Sequence, residues 1–217
     1  MDCITHPMVE AYIEKLIVQK EPLYREMEKY ASDNHVPIIQ KASLRLIETL
    51  LIGHDIHDIV EIGTAIGYSS LNFCRILEGR CRITTFERNE KRYKTALDFI
   101  ARSSYNEKID VVFTDAAEGL DLGDHTYDMA FIDAAKGQYR YFFDRIFPHI
   151  RRGGLIISDN IFFRGQVCED TQLNVTRRNR TIYRRMNDYL SYLMKQEDEF
   201  YSTLVPIGDG MAITYKK

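Results

Sequence analysis

From residue 58 onward, short apolar runs that end in an acidic residue alternate with longer stretches of helical spacing, and this alternation leaves few folds open. Asp58–Ile62, Arg82–Glu87, Ile109–Thr114, Met129–Asp133 and Gly154–Ser158 read as strands. Tyr68–Leu77, Asn89–Arg102 and Gln138–Ile150 read as the helices between them. Strands separated by helices pair in parallel and are covered on both faces, because each crossover helix must pack back onto the sheet. The tail breaks the rhythm. A helix over about Arg177–Gln196 leads to Phe200–Val205, the turn Gly208-Asp209-Gly210 and Met211–Tyr215, which read as an antiparallel hairpin closing one sheet edge.

The first 50 or so residues are helical by apolar spacing, with Met8, Tyr12 and Leu16 on one face and Leu23, Met27 and Tyr30 on another. Pro7 and Pro22 stand where helices start, and Val36-Pro37 marks a break. A third helix turns Leu44, Ile47, Leu50 and Leu51 inward. With no repeat or low-complexity linker visible, the expectation is one domain over 1–217, with a helical cap over 1–52 and an α/β core over 57–217. At 45% hydrophobic and 28% charged residues, the chain of 217 can bury a core unaided and is not a disordered tail. No apolar run approaches the roughly 20 residues that span a bilayer, and Met1–Pro7 lacks the basic-then-apolar pattern of a secretory signal. Those two features point away from a membrane, and Cys3, Cys74, Cys81 and Cys168, with neither zinc-ligand nor disulfide-framework spacing, point to a reducing cytoplasm.

Several strand ends carry candidate chemistry. Glu61-Ile62-Gly63-Thr64-Ala65-Ile66-Gly67-Tyr68-Ser69 joins the first strand to a helix. Glycines there let a ligand approach the backbone, and the acid favours a ligand bearing an ammonium group over a pyrophosphate; the same residues also make a plain tight turn. Glu87, at the second strand's end, can accept from two ribose hydroxyls or be one more solvated charge. Asp115-Ala116, after the third strand, can face a base or cap a helix. Three acids at successive strand ends favour a nucleoside pocket, because ligands of open α/β sheets bind outside the strands' carboxyl ends.

The fourth strand ends at Asp133 and the fifth at Asp159-Asn160. On neighbouring strands these two carboxylates and an amide oxygen would converge, a hard all-oxygen set that suits Mg²⁺ better than Zn²⁺. The competing reading has Asp159-Asn160 merely turn the chain. Lys136 follows three residues after Asp133, where a lysine of lowered pKa can serve as a general base or simply face solvent.

Together, Glu61–Ser69, Phe86-Glu87-Arg88, Phe131–Lys136 and Ser158-Asp159-Asn160 resemble the cation-dependent O-methyltransferases of the catechol and caffeoyl-CoA type, over nearly the whole chain and in the family's order. The resemblance implies a class I S-adenosylmethionine-dependent methyltransferase fold, Rossmann-like, with a mostly parallel seven-stranded sheet. It implies Asp133, Asp159 and Asn160 as ligands of Mg²⁺ or another divalent cation, and Lys136 with Asp133 as the catalytic pair. It implies Ile39, Glu61, Gly63, Ser69, Glu87, Asp115, Ala116 and Asp133 around S-adenosylmethionine. Ile39 stands where relatives often have methionine. A homodimer is implied as well.

His35–Ile38, Glu87–Arg92, Ile132–Tyr139 and Pro206–Gly210 are most similar to the bacterial branch that methylates 5-hydroxyuridine at the tRNA wobble position. That reading makes the tRNA anticodon loop the partner. Five arginines, Arg177, Arg178, Arg180, Arg184 and Arg185, fall within nine positions, and Arg164 adds a sixth cation nearer the expected site. On a chain of net charge −3 they form a local phosphate-binding candidate, or a solvated face paired with Glu169, Asp170 and Asp188. Methylation of small catechol-like phenols is the alternative acceptor chemistry. A non-catalytic RNA-binding module that keeps the fold is a second alternative.

Overall fold

The structure, a computed structural model, describes residues 6–134, 137–163, 165, 167 and 177–217, and only the backbone of 177–179. The chain forms two compact units, Ala11–Asp121 and Leu122–Lys217, the second together with the chain's beginning.

In the first unit, strands β1 (Asp58–Ile62), β2 (Arg82–Glu87) and β3 (Ile109–Phe113) pair in parallel in the order β3-β2-β1. Glu61 stands opposite Thr85, and Glu87 opposite Phe113. Ile59, Val60, Ile62, Ile83 and Phe86 are buried. Helices α2 (Pro22–Asp33), α3 (Lys41–Gly53), α4 (Tyr68–Ile76) and α5 (Glu90–Ala101) belong to this unit. Pro22 opens α2 because its fixed φ suits a first helical turn that needs no N–H from it. The chain leaves α2 through His35 at φ 52 and resumes helix only past Pro37. Met27, Leu44, Ile47 and Leu51 turn inward as the spacing requires, each burial being worth about 1.5–3 kcal/mol, whereas Tyr30 and Leu50 are only half-buried. The thiols of Cys74 and Cys81 lie 3.4 Å apart, buried and unbridged.

In the second unit the order is β4-β5-β7-β6, built from β4 (Tyr127–Ile132), β5 (Ile150–Asp159), β6 (Phe200–Val205) and β7 (Met211–Lys216). β4 and β5 are parallel; β7 runs antiparallel to both β5 and β6. The expected C-terminal hairpin is therefore present, with its second strand placed inside its first. Tyr139, Phe142, Phe143 and Ile146 form the buried stripe of α7 (Tyr139–Ile146), and α7 packs on α8 (Arg177–Lys195). Phe143, Tyr192 and Phe200 form a ring cluster with centroids 5.3–5.9 Å apart.

The strands up to β5 alternate with helices as expected and β6 and β7 form the hairpin, and the differences have local causes. α7 ends four residues early because Pro148 cannot donate the helical bond, and a 3₁₀ turn takes over at 147–149. β4 starts two residues early. β5 starts at Ile150 rather than Gly154: Arg151-Arg152-Gly153-Gly154 has turn composition, yet pairing continues through it with a shift in register between Tyr127 and Met129. A four-residue helix, α6 (Ala116–Gly119), has too little periodicity to be read from sequence. In α1 (Pro7–Leu16) the Met8, Tyr12, Leu16 face exists but none of it is buried, with exposures of 75%, 63% and 64%. Among the described residues no helix is long and apolar enough to cross a membrane.

Candidate functional site

In the first unit the chain leaves β1 through Gly63 (φ 105), Ala65 (φ 49) and Gly67 (φ 81) before entering α4. The Gly63 and Thr64 N–H groups both donate to the carbonyl of Phe86, at 3.1 and 3.2 Å, which ties the loop to the end of β2. Glu61 lies beneath this loop with no exposed surface. Its carboxylate accepts from Ser69 Oγ, from Ser70 Oγ and, at 2.6 Å, from Thr85 Oγ1. A threonine hydroxyl has one proton, and Thr85 gives it to Glu61. The 2.7 Å contact between Thr64 and Thr85 must then have Thr64 as donor. Glu61 and Ser69, expected beside a donor molecule, are thus first of all partners of each other. Burial of a carboxylate on this scale requires such donors.

Glu87 behaves likewise. It is 6% exposed and accepts the Ala65 N–H at 2.9 Å and the Asn89 N–H at 2.7 Å, so one carboxylate clasps the glycine loop and the start of α5. Asn89 itself caps α5 by accepting from Arg92 N–H at 3.0 Å. Each Glu87 oxygen keeps a second lone pair for a hydroxyl. Asp115 caps α6 through Ala117 N–H at 3.0 Å and meets Arg88 at 3.1 Å. The Ala117 N–H, with the Arg88 guanidinium behind it, holds the Asp115 carboxyl below the usual carboxylate range. Of the two readings left open for Asp115, the cap is realised. Ala116 is buried beside it, and Ile39 is buried in the connection between α2 and α3.

A cavity of about 260 Å³ lies elsewhere in this unit, among α2, α3 and α4. Both glutamates that reach into it from α2 and α3 are already matched: Glu28 with Lys41 and Tyr68, and Glu48 with Arg75 and Arg45.

In the second unit Asp133 follows β4 directly and Asp159 ends β5. Asn160 Nδ2 donates to Asp133 Oδ1 at 2.9 Å, and the Asn160 N–H donates to Asp159 Oδ1 at 2.9 Å. The structure therefore brings together the three residues expected to meet. Asp159 is 2% exposed, while Asp133 and Asn160 are half-buried. These residues fit a hard divalent cation. Two carboxylates offer oxygen and negative charge, and rotating the Asn160 amide by half a turn presents Oδ1 where Nδ2 now donates. The Tyr139 hydroxyl donates to the Asp159 carbonyl at 2.7 Å. Burial, reinforced by the Asp133 and Asp159 charges, pushes that phenol well above its ordinary value, so it remains a donor.

Lys136 and Arg164 lie outside the described residues, and of Arg177 and Arg178 only the helical backbone is described. Arg180, Arg184 and Arg185 are exposed on α8, and among the described residues none forms an ion pair, Asp188 included. Sequence reasoning missed Ser70, Thr85 and Tyr139. Only Thr85 had a usable signal, once parallel register sets it beside Glu61.

The O-methyltransferase family model matches residues 15–217. The chain belongs to that family. A Staphylococcus aureus structure assigned as a caffeoyl-CoA O-methyltransferase is 32% identical, covers 97% of this chain and 100% of its own, and superposes with a TM-score of 0.88. The flavonoid 3′,5′-methyltransferase of Vitis vinifera is 26% identical over 199 residues, 87% of this chain and 81% of that protein. A Bacillus cereus O-methyltransferase in complex with SAH shares the fold at 23% identity and a TM-score of 0.83, covering 97% of each chain. These findings uphold the resemblance to the cation-dependent catechol and caffeoyl-CoA type, and with it the class I methyltransferase fold.

Proposed function

We propose that this O-methyltransferase transfers the methyl of S-adenosylmethionine to a ring hydroxyl that has a second oxygen beside it, as in catechol-like phenols. The observation that carries the reading is the meeting of Asp133, Asp159 and Asn160 at the ends of β4 and β5. Relatives named for caffeoyl-CoA and flavonoid methylation support the phenolic acceptor.

In this reading Glu87 receives the ribose hydroxyls of the donor, and Gly63 leaves room for its methionine part. Ile39, Asp115 and Ala116 line the same ligand. Glu61 acts through Ser69, whose position it fixes. Mg²⁺, when bound, supplies positive charge that stabilises the acceptor's oxyanion and orients two neighbouring oxygens. Asp133 and Asp159 bring the negative charge that such binding needs, and Asn160 brings a neutral oxygen. Lys136 Nζ takes the proton of the acceptor hydroxyl as the methyl leaves sulfur for oxygen, and the donor departs as the neutral thioether. Holding nucleophile and methyl at near-attack distance supplies much of the remaining rate.

A second reading keeps this chemistry and changes the acceptor to 5-hydroxyuridine at the tRNA wobble position, whose hydroxyl and carbonyl oxygens are also neighbours. It is favoured by the exposed cations Arg180, Arg184 and Arg185, which have no ion-pair partner among the described residues; Arg185 lies against Gly137, four residues past Asp133. A homodimer through the exposed apolar residues of α1 is part of the proposal, as is a cytoplasmic setting; sedimentation of wild type and Tyr12→Glu tests the former.

The test incubates the protein with labelled S-adenosylmethionine, Mg²⁺ and, in parallel, free catechol or tRNA carrying hydroxylated uridine, with and without EDTA. Mass spectrometry of the product locates the methyl. Chelator-sensitive transfer to catechol is expected. Transfer to tRNA alone selects the second reading, and tight tRNA binding without transfer to any acceptor would revive the non-catalytic module.

A further inference from the structure

We infer that Tyr139 and the Asp209-Gly210 turn are positioning residues, which hold the Asp159-Asn160 pair in ligand geometry through the backbone without touching a ligand themselves. The inference rests on the reading of that pair as a cation site.

Asn160 has φ 58. A left-handed residue with a side chain persists only where its surroundings fix it. Here the chain is pinned on both sides of that residue. Before it, the Tyr139 hydroxyl donates to the Asp159 carbonyl at 2.7 Å, reaching across from α7. After it, the Ile161 N–H donates to the Gly210 carbonyl at 3.1 Å and the Phe162 N–H donates to the Asp209 carbonyl at 2.9 Å. Met211, the first residue of β7, pairs with Asp159 itself, so the hairpin turn and the ligand turn form one continuous contact.

Gly210 makes this approach possible. Its φ is +85, and a Cβ there would fall 2.0 Å from the Phe162 ring. Any side chain at 210 must displace the ring of Phe162, the residue whose N–H, with that of Ile161, ties down the chain after Asn160. Tyr139 stands at the opposite end of the clamp, fully inside the core and unable to reach solvent for another partner. The Gly208-Asp209-Gly210 sequence, read as an ordinary hairpin turn, thus has a second task set by geometry that only the folded chain shows.

The experiment titrates wild type, Tyr139→Phe and Gly210→Ala with Mn²⁺ alone, a paramagnetic ion of the same hard-oxygen preference, and follows free and bound metal by electron paramagnetic resonance. Thermal midpoint and affinity for demethylated donor are measured on the same samples. Wild type should bind one Mn²⁺ per chain. Gly210→Ala should bind roughly tenfold or more weakly, with an altered bound spectrum, and Tyr139→Phe a few-fold to tenfold more weakly. Donor affinity should stay within about twofold in both. Should Gly210→Ala not fold, Tyr139→Phe, which removes one oxygen and keeps the ring, decides alone. Folded variants that bind Mn²⁺ like wild type, or that lose donor and metal affinity together, overturn the inference. A wild type that binds no Mn²⁺ overturns the cation reading beneath it.

Discussion

Acidic residues stand at the strand ends of both units, and the chain treats them differently. In Ala11–Asp121, Glu61 is enclosed by three hydroxyls and Glu87 accepts two backbone N–H groups, so each carboxylate already holds a loop in place. In Leu122–Lys217, Asp133 and Asp159 are gathered about one asparagine on a left-handed turn, the first on its side-chain amide and the second on its backbone N–H. Carboxylates of the first kind shape a pocket. Those of the second kind concentrate like charge where a cation would be welcome, and bringing like charges together has a cost that only a functional gain offsets.

Substitutions can break or sharpen this contrast. The largest effect belongs to Asp159→Ala, which should lower methyl transfer on the order of 10²-fold or more while changing donor affinity only a few-fold; labelled-methyl kinetics beside calorimetric titration of the donor measure both. Equal losses in the two would erase the division of labour. Glu61→Ala should do the reverse. Three buried hydroxyls lose their acceptor, unfolding free energy in urea should fall by about 3 kcal/mol, and donor affinity should fall with it. Thr85→Val removes one of those hydroxyls and should cost about 1–2 kcal/mol in the same assay.

The smallest effect concerns pH. The Asp115 carboxyl is held below its unfolded value, so its contribution is present above the unfolded value and is lost as pH falls through the folded one. Asp115 is partly exposed, so the contribution is under about 1 kcal/mol. Wild type should therefore lose slightly more stability than Asp115→Ala between pH 6 and pH 3 in parallel urea titrations. A larger loss in the variant would contradict the assignment.

The contrast was only half legible in the sequence. Asp133 and Asp159-Asn160 could be found because each lies directly after an apolar run, and strand ends are what periodicity reads well. The glycine loop was legible for the same reason. What Glu61 does was not: Ser70 and Thr85 reach it through a helix turn and a parallel register, and neither leaves a trace in local spacing. Tyr139 falls within a stretch legible only as a helix, and Gly210 reads as one more turn glycine. Their partners, Asp159 and Phe162, are 20 and 48 positions away. The strand over Ile150–Asp159 was misread at its start for a related reason, since two glycines in sequence signal a turn whether or not a neighbouring strand holds them straight.

The most direct measurement is a crystal grown with Mg²⁺ and the demethylated donor, examined at the ends of β4 and β5. An octahedral ion with oxygens of Asp133, Asp159 and Asn160 at about 2.0–2.1 Å, the Asn160 amide turned from its present orientation, is the expected result. Density for the donor with no ion among these three side chains, and Asn160 still donating to Asp133, would contradict it.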